Sequence, residues 1–191
     1  MRDVSSHILD ICQNAITANA SLIKITINVD EKKDTLVLNI IDNGSGMDED
    51  LAKKADSPFF TTKANAKIGL GLSLLKEACL ETGGSFKFES KQHVGSLIMA
   101  VFKLSSIDIP PLGELSETIF SLIAVNQHID FEIELKNGEK GFSIDTKELK
   151  KRFAGKFFSE VKVSAWILDY LRKGINELFG GKLSYENVER A

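Results

Sequence analysis

Leu36-Val37-Leu38-Asn39-Ile40-Ile41-Asp42-Asn43-Gly44-Ser45-Gly46-Met47 is the stretch on which the reading of this chain turns. Leu36, Leu38 and Ile40 recur at a period of two, as in a strand with one buried face. The run ends in a carboxylate, Asp42, followed by two glycines at alternate positions. A carboxylate at a strand end can accept a hydrogen bond from an exocyclic amine such as that of adenine, and glycines let backbone come close to a flat ring. Alone, the same residues equally suit a plain tight turn. The flanking sequence decides between them.

Upstream, Ile23, Ile25, Ile27 and Val29 alternate against Lys24, Thr26 and Asn28, so this segment and residues 36–41 read as a hairpin. Before it, Ile8, Leu9, Ile11, Cys12, Ala15 and Ile16 recur at helical spacing, with Ser5 or Ser6 as the cap. That helix puts Asp10 and Asn14 one turn apart on one face. An amide oxygen can ligate Mg²⁺ and a neighbouring carboxylate can orient or deprotonate a nucleophile, although a solvated polar stripe would look the same.

Downstream, residues 43–68 form a long irregular segment broken at Pro58, a length that inside a compact domain usually marks function. It contains Ser57-Pro58-Phe59-Phe60-Thr61-Thr62-Lys63 and leads into Gly69-Leu70-Gly71-Leu72. Glycines at a helix start leave backbone N–H groups open at the positive end of the dipole, a natural seat for phosphate oxygens. Lys63 and Lys67 supply point charges for a terminal phosphate, while Phe59 and Phe60 suit anchors for the loop. A helix over 70–81 stops at Gly83-Gly84, and two strands follow at 85–90 and 96–104.

Together these ordered segments resemble the ATP-binding domains of the gyrase, histidine-kinase and MutL (GHKL) family. Asp10…Asn14 matches the N-box, Asp42-x-Gly44-x-Gly46 the G1 box and Gly69-x-Gly71 the G2 box. The run Pro58 to Lys63 followed by Gly69-Leu70-Gly71-Leu72-Ser73 is similar to bacterial histidine-kinase catalytic domains, and the likeness extends through Gly83-Gly84-Ser85 and Gly95-Ser96. It covers about residues 1–104. The resemblance implies a Bergerat-type two-layer α/β sandwich with a mixed sheet for that span; with the small α+β domain that the pattern of residues 105–191 suggests, the chain reads as α+β. The resemblance further implies ATP with Mg²⁺ as cofactors. In that carry-over Asn14 is the metal ligand, Asp42 the acceptor for the adenine amino group, and Gly44 and Gly46 the border of the ring. Gly69, Leu70 and Gly71 hold phosphates, Lys63 meets the terminal phosphate, and Ser96 completes the adenine pocket. Asp10 stands where ATPases and serine kinases of the family carry glutamate, one methylene longer. The short lid, residues 64–68, suits a nucleotide that exchanges easily.

The second half carries a Pro110-Pro111 break, a helix over 115–125, a hairpin turning at Asn137-Gly138, a short helix after Asp145 and a helix over 160–179. Val161, Val163, Trp166, Ile167, Tyr170, Leu171 and Ile175 make mostly a core-facing stripe, or a partner or homodimer seam if Trp166 is exposed. Formal net charge is −3, about −1 over residues 1–104 and −2 over 105–191. Neither half has the clustered cations that phosphate-backbone binding needs, so no nucleic-acid partner is expected. Two cysteines, Cys12 and Cys79, without a close-spaced partner, suit buried thiols in a reducing compartment. No run of 18 apolar residues suggests a membrane span, and a cytoplasmic setting is expected. None of His7, His93 and His128 sits in a phospho-acceptor context. The reading is therefore a regulatory protein kinase or ATPase acting on a protein partner. The alternatives are a non-catalytic ATP sensor and a slow ATPase assisting assembly of another protein.

Overall fold

The computed structural model describes residues 3–52, 55, 70–154 and 156–180. The expected hairpin forms as β1 (Leu22–Asp30) and β2 (Thr35–Asp42), antiparallel, with Ile25 opposite Ile40 and Ile27 opposite Leu38. The period-two apolar rows fill one face of the sheet: Ile23, Ile25, Ile27, Leu36, Leu38 and Ile40 have no exposed surface. Helix α1 (Val4–Thr17) lies on that face through Ile8, Ile11, Cys12 and Ala15. Its start is fixed by Asp3 rather than by Ser5 or Ser6. The Asp3 carboxylate accepts hydrogen bonds from the Ser6 N–H and hydroxyl, both at 2.7 Å, because a carboxylate meets the positive helix end better than a hydroxyl does.

After the short helix α2 (Glu49–Ala52) come α3 (Leu70–Glu81), β3 (Ser85–Lys91) and β4 (Gly95–Lys103). Strand β4 pairs antiparallel with both β2 and β3, and α3 packs over β3 and β4. The second half supplies α4 (Leu115–Val125), β5 (Asp130–Asn137), β6 (Lys140–Asp145), α5 (Thr146–Arg152) and α6 (Val161–Phe179).

The stretch 105–191, expected to be a domain of its own, adds its first strand, β5, to the sheet of the first half. This strand runs parallel to β1, with Phe131 opposite Ile23 and Ile133 opposite Ile25. The result is one mixed six-stranded sheet in the order β3-β4-β2-β1-β5-β6. The outer edge of β1 would otherwise leave a row of unpaired N–H and C=O groups, and β5 takes them up. Helix α4 packs between α1 and α6, and α6 covers β5 and β6, so one hydrophobic core runs through both halves. The connector with Pro110 and Pro111 ties back as well: the Pro111 and Leu112 carbonyls accept from the N–H groups of Val4 and Ser5 at 2.9 and 3.0 Å. These are two of the N–H groups that a helix start cannot satisfy internally.

The α6 stripe is mainly core, since Val163, Ile167 and Leu171 are buried. Trp166 is half-buried; it stacks on Tyr170 with ring centroids 5.3 Å apart, meets Phe153 edge-on at 5.3 Å and carries Arg152 4.4 Å over its ring. The contacts of Arg152 and Phe153 with the indole fasten the end of α5 to α6.

A shared core makes a testable statement about cooperativity. Ile133→Ala removes a buried side chain from β5 and should cost about 2–4 kcal/mol by urea denaturation. Far-UV circular dichroism and the fluorescence of Trp166, the sole tryptophan, should then still report the same midpoint. Two separated transitions would contradict a common core.

Candidate functional site

At the end of the sheet where β2 stops, an apolar face closes over a cavity of about 280 Å³. Ile11, Asn14, Ala15 and Ala18 of the first helical segment form one wall; Met47, Leu72, Phe88 and Ile98 contribute to the rest, with Asp42 and Ser96 as polar groups. Such a lining, mostly apolar with a few convergent polar atoms, suits a flat heteroaromatic ring.

Asp42 is only 8% exposed. Burial pushes its carboxyl above the usual range, and hydrogen bonds from the Gly44 N–H, at 2.8 Å, and from the N–H and hydroxyl of Ser96 partly counter that. The loop after it is pinned on both sides. The Asn43 side-chain oxygen accepts from the N–H groups of Ser21 and Leu22 at 2.9 Å each, the Ser45 N–H donates to Ala18 O at 2.8 Å, and the His93 N–H donates to Ser45 O at 2.6 Å. Gly46 sits at φ +60°, and a Cβ there would lie 2.0 Å from the Lys91 carbonyl oxygen, so no other residue fits without moving β3.

Asn14 lines the cavity from α1, whereas Asp10, one turn earlier, faces the start of α3. A Cβ on Gly71 would lie 3.0 Å from that of Asp10. The bare backbone at Gly71 therefore lets the first turn of α3, with its outward N–H groups, approach α1 closely. Leu70, the first residue of α3, is half exposed. Gly44 is buried beneath Asp42 rather than on the cavity wall. Asp42, Gly46, Asn14 and Ser96 thus converge on one cavity, with Asp10, Leu70 and Gly71 beside them. Lys63, Lys67 and Gly69 lie outside the described residues. The walls Met47, Leu72 and Phe88 were missed from the sequence; Phe88 is legible afterwards as the inward residue of an alternating β3.

A model of the histidine kinase-, DNA gyrase B-, and HSP90-like ATPase family matches residues 2–106. The chain belongs to that family. Its histidine-kinase-like ATPase domain is a nucleotide-binding one, and the cavity at the end of β2 lies within the matched span. The chain is 31% identical over 98 residues to sporulation kinase C of Bacillus subtilis and 29% identical over 94 residues to sensor histidine kinase YvrG of the same organism. These alignments cover 51% and 47% of this chain but only 23% and 16% of the two relatives, so the chain spans a small part of their length. The crystal structure of the N-terminal domain of a DNA repair protein superposes with a TM-score of 0.52 at 14% identity, covering 95% of this chain and 58% of that one. That likeness is one of fold. Among the described residues no helix is long and apolar enough to cross a membrane, and no group of three or more His, Cys, Asp or Glu could hold a metal ion.

The buried charge has a consequence for stability. Because the folded state holds the Asp42 proton more tightly than the unfolded chain, its contribution is present at acid pH and lost as pH rises through the folded-state value. Asp42→Asn should therefore melt no lower than the parent protein at pH 7, and any advantage should shrink toward pH ~4, near the ordinary carboxylate range. A marked drop in melting temperature at pH 7 would show instead that the charge stabilises the loop.

Proposed function

We propose that this protein binds ATP with Mg²⁺ in the cavity at the end of β2 and uses it to phosphorylate or regulate a protein partner in the cytoplasm. The single observation that supports this most is the buried Asp42 carboxylate on an otherwise apolar wall. An amine donor fits it, whereas guanine would present a carbonyl oxygen to the same carboxylate. Asn14, on the facing wall, offers one amide oxygen. Mg²⁺ commonly arrives on the phosphates and takes few protein ligands, so one amide oxygen is enough for a metal carried in by the nucleotide. Bound there, the ion would neutralise charge on the phosphates. The open first turn of α3 would take phosphate oxygens, and Lys63 is assigned the terminal phosphate on the family resemblance alone.

Asp10 supports two readings. As a base it would draw a proton from an acceptor hydroxyl or water. Its short side chain and its position against Gly71, outside the cavity wall, favour a second reading in which ATP is bound and sensed without transfer.

Calorimetric titration with ATP and Mg²⁺ tests the pocket. Asp42→Asn and Asn14→Ala should each weaken binding about tenfold or more, as expected for loss of a charge-assisted hydrogen bond or a metal ligand. Affinity in the parent protein should also fall as pH drops through the raised Asp42 value, since the neutral carboxyl no longer favours the amine. Unchanged affinity in both variants would remove the assignment. Asp10→Asn separates the two readings: phosphotransfer or hydrolysis falls by about 100-fold or more if Asp10 is a base, and nucleotide binding with partner affinity persists if the protein is a sensor.

A further inference from the structure

The inner face of the sheet is built in rungs, and its last rung differs from the others. Phe88, Ile98 and Ile40 stand level on β3, β4 and β2, an apolar row. One step further along, Ser90, Ser96 and Asp42 stand level on the same three strands. Their polar atoms connect. The Ser90 and Ser96 hydroxyl oxygens are 3.0 Å apart, and the Ser96 hydroxyl reaches the Asp42 carboxylate. At the far end the Met47 N–H donates to Ser90 Oγ at 2.9 Å, while the Ser90 hydroxyl also lies 3.2 Å from the Gly95 carbonyl oxygen.

Either hydroxyl of the serine pair could donate to the other, and the order in which Ser96 serves Asp42 has Ser90 as the donor. Asp42 as a carboxylate can only accept, so the Ser96 hydroxyl hydrogen points to it. Ser96 Oγ then has lone pairs to spare, and the Ser90 hydroxyl donates to them, sharing its hydrogen with Gly95 O. Ser90 Oγ in turn accepts from Met47. Hydrogen bonds aligned in one direction polarise one another and hold their members in a single geometry. Met47 lines the cavity at the other end of this chain, so the relay joins the loop beside the ring to the carboxylate that reads it.

We propose that Ser90 is a positioning residue for base recognition: its hydroxyl aims that of Ser96 at Asp42 and thereby sets how strongly the site favours a purine carrying a 6-amino group. This rests on the nucleotide reading given above. Ser90 does not line the cavity and so acts through Ser96 and Asp42. It follows that Ser90 affects ligands that use the Asp42 carboxylate and leaves others nearly alone.

The test compares two ligands, ATP and the triphosphate of purine riboside, which lacks the 6-amino group, each titrated calorimetrically with Mg²⁺. Ser90→Ala should bind ATP about five- to tenfold more weakly, the loss expected for one hydrogen-bonded link. The amine-free analogue should change less than about twofold on that scale. Ser90→Thr, which keeps the hydroxyl, should restore ATP binding to near the parent value, and the acid limb of ATP binding should move to higher pH in Ser90→Ala only. Equal losses for both ligands would mean that Ser90 merely braces the Met47 loop, and the proposal falls. Asp42→Asn run alongside separates the failures. If the parent protein binds ATP no better than Asp42→Asn, the nucleotide reading itself is overturned; if it does and Ser90→Ala matches the parent, only the role of Ser90 is lost.

Discussion

Helix α1 has to satisfy two neighbours at once, and the rest of the structure is arranged around that. Its apolar face, Ile8, Ile11, Cys12 and Ala15, packs into the core, with Ile11 and Ala15 reaching the cavity wall beside Asn14, while Asp10 meets the start of α3. A period of 3.6 makes both possible only if the helix keeps one rotation and one height. The height is held by Asp3 and by the carbonyls of the 111–112 connector at one end, and by the Ser45 N–H bond to Ala18 at the other. The rotation is held by contacts with α3 on one flank and α4 on the other. The second half of the chain therefore bears on the site without touching it, through α4 and through the connector.

Burying Asp42 is the reverse kind of constraint, a local loss that the proposed selectivity would account for. A charge on an apolar wall disfavours the empty fold, and the surrounding N–H and hydroxyl donors reduce that loss without cancelling it. On the proposed reading a ligand amine would supply a further donor, so part of the affinity would be relief of a group that lacked a full set of partners. Cys12 feels the same environment: burial, with the Asp42 charge in addition, pushes its thiol far above its ordinary value, and burial pushes Cys79 up to about 12. Both sulfurs behave as apolar core atoms.

Much of this was legible in the residues because the signals were local. The apolar run at 70–81, bracketed by glycines, coincides with α3, and Asn137-Gly138 sits at the turn between β5 and β6, with Gly138 at positive φ. Asn14, Asp42, Gly46 and Ser96, singled out from the sequence, line one cavity. What was not legible depends on distance along the chain. Nothing near residue 130 says that its strand will lie parallel to one that begins at residue 22, because parallel pairing leaves no turn signature to read. The cap of α1 is Asp3 and not Ser5 or Ser6, two or three positions on, because serine and aspartate are both common caps and nothing local marks which of them starts the helix. Ser90 was passed over because its meaning comes only from being level with Ser96 and Asp42.

The parallel pairing of β1 with β5 also bears on how the protein is made. Synthesis proceeds from the N-terminus, so β1, β2, α3, β3 and β4 are all available while the β1 edge that will receive β5 is still bare. An uncovered edge of alternating isoleucines invites strand addition by whatever lies near. Closure of that edge waits until residues 130–137 leave the ribosome, and a later segment acts as a built-in guard for an earlier one.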